Sequence, residues 1–194
     1  MDGVGRGRPR SERARLAVLD AAADLLIEGG MSAATTEAIA ARAGVGKATI
    51  YKWWPSRAHV ALDSFFMRTK ATMAVDAGAS LADALAAQVG ALVRLLRDPA
   101  TGSLMREIVA VAQTDPDIRS ALDTRWVRPR RVVVERALRE AAERGEIRTD
   151  VDFAAAMDQL FAPLYYRLLF GHEPLDDRLA ETLVRQVITG LAPE

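Results

Sequence analysis

The segment from Thr35 to Trp54, TTEAIAARAGVGKATIYKWW, constrains this chain more than any other stretch of it. Its spacing predicts a helix, a three-residue turn and a second helix. Gly44 can adopt the positive φ that ends the first helix, and Ala40, four residues earlier, keeps the side chain small where two helices cross. Ile39, Val45 and Ile50 supply a shared core, and Trp54, four residues after Ile50, falls in the same inward slot. Lys47, Thr49, Tyr51 and Lys52 cannot all join so small a core. Several must point outward with their hydrogen-bond donors, the residue distribution of a helix-turn-helix that reads DNA.

The flanking sequence reads as further helices. Ser11 is a plausible N-cap for a first helix whose stripe is Leu16, Leu19, Ala23, Leu26 and Ile27, stopped by Gly29-Gly30. Pro55 and Ser56 open a fourth helix through Val60, Leu62, Phe65, Phe66 and Met73, followed after Gly78 and Ser80 by one from Leu81 to Leu96. Past the Asp98-Pro99 break comes a short helix over about 102–113. Asp115-Pro116 then opens a long one with Ile118, Leu122, Trp126 and Val133 on one stripe, which Pro129 should bend and Gly145 should end. Helices over 151–170 and 175–191 close the pattern, and no period-2 run of β-branched residues competes with it. The expected fold is all-α with about nine helices, an N-terminal three-helix head carrying the helix-turn-helix and a multi-helix C-terminal body. The expected limits are a flexible basic arm over 1–10, the head over 11–56 and the body over 57–194.

Composition narrows the function. Net charge is zero over 194 residues, yet residues 1–60 hold 9 basic against 6 acidic side chains and residues 61–194 hold 17 against 20. That asymmetry suits a phosphate-facing head on a body that avoids phosphate. The absence of cysteine excludes disulfides, thiolate nucleophiles and cysteine metal sites. With only His59 and His172 and no phosphate-cradling glycine loop, no catalytic constellation, metal site or cofactor site can be assembled, so no enzyme is expected. The start of the sequence has positive charge without an apolar run behind it, and the apolar run over 160–170 is shorter than the roughly 17–25 residues of a membrane span. A cytoplasmic protein with no membrane partner is expected.

The head resembles the DNA-binding domain of the tetracycline-repressor-like (TetR) transcriptional regulators. Thr35-Thr36, Ile39-Ala40, Ala43-Gly44-Val45, Thr49-Ile50-Tyr51 and Pro55-Ser56-Arg57 carry the likeness, over about forty-five residues at irregular spacing. The resemblance implies that Lys47, Ala48 and Thr49 face base edges and that Thr36, Tyr51, Trp53 and Arg57 contact the DNA backbone. Lys52 fits either role and is grouped with the base readers. Gly46, where the family often has a capping residue, and Trp53, where smaller side chains are common, depart from the pattern.

For the body, the same resemblance implies a homodimer and a small-molecule pocket whose occupation releases DNA. Phe153, Met157, Leu160, Leu164 and Leu168 form one apolar face and Leu175, Leu179, Leu183, Val187 and Leu191 another. Both suit a dimer surface, the alternative being burial against their own subunit. Phe66, Met67, Met105, Trp126, Phe161 and Tyr165 are candidate pocket residues, pointing to a hydrophobic or weakly polar effector. Arg125, Arg128, Arg130 and Arg131, with Asp123 and Glu135 nearby, are read as a solvated ion-paired surface, the alternative being a site for an anionic effector. The expected function is a homodimeric repressor of a palindromic double-stranded DNA operator. An architectural DNA-binding protein without effector control remains the alternative, against which the large body speaks.

Overall fold

The computed structural model describes residues 8–69 and 79–193, the first three of them by backbone alone. Every regular element among the described residues is helical. α1 (Arg8–Ala33), α2 (Thr36–Ala43), α3 (Lys47–Tyr51) and α4 (Arg57–Thr69) precede α5 (Leu81–Arg97), α6 (Pro99–Ala112) and α7 (Pro116–Leu122). A π-helical turn over Asp123–Val127 carries α7 into α8 (Arg128–Glu143), and α9 (Phe153–Phe170) and α10 (Asp177–Leu191) follow. With α7, the π turn and α8 taken as one uninterrupted helix, the described residues form nine helices, as expected. The chain divides into two compact units: the described residues up to 69 with 103–120, and those of 70–102 with 121–194.

In the first unit α1 packs against α2 and α4, and α2 against α3. Val18, Leu19, Ala22, Leu25 and Leu26 are buried along α1, and full burial of a Leu or Val contributes about 1.5–3 kcal/mol. Leu16 and Ile27 were expected on this stripe but are exposed. At about 100° per residue both fall just past the edge of a buried arc centred near Ala22. Helical geometry is interrupted at Gly29 and at Gly30, whose φ is 65°, so the glycine pair breaks the helix as expected. At its other end α1 begins at Arg8, which places Ser11 inside the helix instead of at its cap. Residues 1–7 of the expected arm, and Met73 and Gly78, lie outside the described residues. Ser64 Oγ donates to the Leu19 carbonyl at 3.0 Å, which fastens α4 to α1. This unit therefore extends beyond the expected 11–56 head.

In the second unit α5 packs on α8, α9 and α10, and α9 on α8 and α10. Asp98 ends α5 and its Oδ1 accepts from Thr101 N at 2.8 Å and Oγ1 at 2.6 Å, which starts α6. The corner is tight enough to require glycine at 102, where a Cβ would lie 2.3 Å from the Leu96 carbonyl oxygen. Asp115 caps α7 by accepting from the amides of Asp117 (3.0 Å) and Ile118 (3.1 Å). The irregularity expected at Pro129 takes the form of the π turn just before it: proline has no N–H to continue the α pattern, and Arg128 N bonds back to Asp123 O. Asp152 and Asp176 cap α9 and α10 through Ala155 N (3.1 Å) and Leu179 N (2.8 Å). Both helices thus start two residues later than expected, leaving Leu175 outside α10. Among the described residues no helix is long and apolar enough to cross a membrane.

Candidate nucleic-acid interface

The α2–turn–α3 unit forms by local chemistry. Thr35 caps α2, its side chain accepting from Ala38 N at 3.1 Å, and Gly44 closes it in the left-handed region at φ 64°. Val45 N then donates to the Ala40 carbonyl at 3.0 Å, fixing the turn. Ile39, Ala40, Ile50 and Trp54 are buried, as the spacing predicts. Trp54 Nε1 donates to Asp63 Oδ2 at 2.8 Å, so the chain just beyond α3 is anchored to α4 by a hydrogen bond as well as by packing. Gly46 is the N-cap of α3 and offers no side-chain bond, in keeping with its departure from the family pattern.

With that face inward, Lys47, Ala48, Tyr51 and Lys52 are exposed and Thr49 is half-buried. The polar ends of Thr49, Tyr51, Lys52 and Trp53 have no hydrogen-bond partner among the described residues. Lys47 differs: its Nζ pairs with Glu37 Oε1 at 2.9 Å, both side chains being exposed. The hydrogen bond, with the ionic attraction behind it, holds the Glu37 carboxyl below its ordinary range and the Lys47 ammonium above its own. The partner was not legible in the sequence, because the pair crosses the turn and matches no helical spacing.

Two of the expected backbone-contacting residues differ in position from the rest. Thr36 is only 9% exposed: Thr35 takes the cap, and Thr36 turns into the interior. Trp53 is half-buried, its ring meeting that of Trp54 edge-on at 5.6 Å and 74°. Arg57 is exposed, and its Nη1 donates to the Met31 carbonyl at 3.0 Å. The Met31 amide in turn donates to Glu107 Oε2 at 2.8 Å, a bond spanning 76 positions of sequence. Gly30 makes room for it, since a Cβ there would lie 2.8 Å from Glu107 Oε1. Glu107 of α6 and Arg57 of α4 thereby hold the two peptide groups that flank Met31, one through its amide and one through its carbonyl.

The expected body residues fare differently. Met157, Leu160, Leu164 and Leu168 of α9 and Leu179, Leu183 and Val187 of α10 are buried within the single chain, and Phe153 is half-buried. In the single chain they face the interior of the second unit, where α5 packs on α9 and α10 and α8 packs on α9. The opposite side of α9 presents Tyr166, Leu169 and Phe170 to solvent, with Phe170 71% exposed. Of the pocket candidates, Phe66, Met67 and Met105 belong to the first unit and Trp126, Phe161 and Tyr165 to the second. Within the second, Trp126 Nε1 donates to Tyr165 Oη at 2.6 Å. A cavity of about 430 Å³ in the same unit is lined instead by Arg167, Glu173, Asp176, Arg178 and their neighbours.

One cluster was invisible to spacing: ligand-type atoms of His59, Asp115 and Asp117 lie within 4.8 Å of one another. Asp115 is engaged in capping α7 and His59 Nδ1 shares a hydrogen bond with Ser56 Oγ at 2.9 Å, so helix capping and the turn account for the grouping.

Comparison with known proteins agrees with this geometry. Residues 18–63 match the model of "Bacterial regulatory proteins, tetR family", and residues 75–187 that of "Tetracyclin repressor-like, C-terminal domain". The HTH-type transcriptional regulator YdeS of Bacillus subtilis is 36% identical over 187 residues, 96% of this chain and 93% of that one. The DNA-binding transcriptional repressor TetR of Mycobacteroides abscessus is 28% identical over 188 residues, 95% of each chain. The crystal structure of the TetR family regulator SCO0332 superposes with a TM-score of 0.75 at 38% identity, covering 93% of this chain and all of that one.

Proposed function

We propose that this chain, which belongs to the TetR family of DNA-binding transcriptional regulators, is a homodimeric repressor that leaves a palindromic operator when a small molecule binds its body. Lys47, Ala48, Thr49 and Lys52 face base edges in the major groove, where lysine donates to guanine O6 or N7 and the methyls of Ala48 and Thr49 meet thymine. Tyr51, Trp53 and Arg57 hold phosphates and set the register. The observation that carries this reading is the exposed surface of α3 and the residues after it, where Thr49, Tyr51, Lys52 and Trp53 have donors and no partner among the described residues, backed by the buried Ile50 and Trp54. The DNA-reading role goes to 11–56 with α4 as its brace, and the effector and dimer roles to the body, at work in the cytoplasm where the DNA is.

A single head contacts few bases, and a two-fold pair reads two half-sites. The dimer uses the outer side of α9 around Tyr166, Leu169 and Phe170, apolar groups left exposed in the single chain. Tyr166→Asp should then give a folded monomer by light scattering, and an unchanged mass would remove α9 from the interface. For release, the effector must bind the DNA-incompetent state more tightly than the competent one, since equal affinity shifts nothing. Selection of bound DNA from a random library at fixed salt tests the whole: a palindromic consensus is expected. Enrichment of no sequence would overturn the specific-repressor reading and favour an architectural role.

A further inference from the structure

Three arginines at the start of α8 share one chemistry and divide by environment. Arg128 Nε pairs with Asp123 Oδ2 at 2.7 Å, and Arg131 pairs with Asp158. Arg130, between them, is only 5% exposed and has no carboxylate partner among the described residues. Its Nη1 donates to the Trp126 carbonyl at 2.9 Å, and its guanidinium carbon lies 3.4 Å from the centre of the Trp126 ring. The ring face attracts the cation without neutralising it. Burial pulls the pKa of the guanidinium down, but arginine keeps its proton in proteins, so a full positive charge is held in the interior. Buried charges are ordinarily paired, and an unpaired one costs stability.

Tyr165 extends the same cluster. Its hydroxyl oxygen accepts from Trp126 Nε1 at 2.6 Å, which directs its own proton elsewhere, and no acceptor for that proton stands among the described residues. Burial raises the phenol's pKa, so it stays a donor. Among the described residues no fully buried side-chain nitrogen or oxygen lacks a partner, so the guanidinium nitrogens of Arg130 not engaged by Trp126 border accessible space. The π turn Asp123–Val127 contributes Trp126, both the ring under Arg130 and the carbonyl it bonds, and such turns recur where a helix is adapted to a site.

We propose that Arg130 and Tyr165 form the anion-binding end of a ligand site in the second unit, one that takes the carboxylate of a small organic acid. The guanidinium fork matches the two carboxylate oxygens, and the phenol adds a third donor. The acid supplies the counter-charge that no carboxylate among the described residues provides. This rests on the reading of the second unit as the effector-responsive body, and it replaces a merely hydrophobic or weakly polar effector with an acidic one.

Acetate, benzoate and octanoate, beside acetamide, benzamide and octanamide, are titrated into the full chain at constant ionic strength. Calorimetric binding and melting temperature are read for the wild type, Arg130→Met, Arg130→Lys and Tyr165→Phe. At least one acid should bind, with Arg130→Met weakening it by roughly thirtyfold or more and its amide failing to compete. Arg130→Lys should retain part of the affinity, having the charge without the fork, and Tyr165→Phe should lose part of it. Without ligand, Arg130→Met should melt higher than the wild type, because an unpaired buried charge is gone. Absence of binding by all three acids, equal binding by acids and amides, or unchanged binding in Arg130→Met would each overturn the site. If Arg130→Met does not fold, the Lys and Phe variants decide. DNA release is measured separately: acids that bind through Arg130 without loosening DNA would leave the anion site standing and sink the effector reading.

Discussion

Two regions gather hydrogen-bond donors, the outer face of α3 and the Trp126–Arg130–Tyr165 cluster, and they do so under opposite conditions. On α3 the donors stand in water, and the one lysine that has a partner, Lys47, shares an exposed ion pair with Glu37. In the second cluster a buried guanidinium stands beside a half-buried phenol, with no carboxylate partner among the described residues. Salt and water weaken charge interactions at the first site, whereas burial amplifies them at the second. The first is therefore suited to a long polyanion met at many shallow points, and the second to one anionic group met at close range.

The comparison can be broken most forcefully in the scaffold of the second region. Leu164→Ala, at a fully buried α9 position, should cost about 2–5 kcal/mol in urea denaturation, whereas the same truncation at exposed Leu169 should stay within about 0.5 kcal/mol. Equal losses would mean that the inner and outer sides of α9 have been misassigned. Leu183→Asp belongs with the buried class and should unfold the chain instead of merely separating subunits.

At the first region, Lys47→Ala should weaken operator binding by roughly tenfold or more while barely changing binding to random DNA. Arg57→Ala should weaken both and make the salt dependence shallower by about one charge. Glu107→Ala should act in the same direction as Arg57→Ala but less, since it touches only the amide of Met31, whose carbonyl Arg57 holds. Should its loss fall on the operator alone, Glu107 would be influencing base readout and not the register. The smallest effect is expected from Glu37→Gln: an unchanged melting temperature, as for most exposed pairs, with tighter DNA binding once Lys47 is released and an acid is removed from the interface. Weaker binding would show that Glu37 aims Lys47 at its base.

What the sequence determined by itself is what local physics decides. Gly44 at positive φ, Thr35 as a cap, the Asp98-Pro99 break and the inward set Ile39, Ala40, Ile50 and Trp54 all depend on neighbours within a few residues, and spacing alone located them. Helix starts were less legible, since the apolar pattern runs back to Val151 and Leu175 while the caps that start the helices are Asp152 and Asp176. Only the tertiary structure decided what each face meets. An apolar stripe shows that a helix side is covered but not by what, and in the single chain α5 packs on α9 and α10 and α8 packs on α9. The pairings of Glu37 with Lys47 and of Glu107 with Met31, and the isolation of Arg130 between two paired arginines, are distances in space between residues far apart or differently rotated. Periodicity is a property of one helix, whereas the cost of a buried charge is set by everything packed around it.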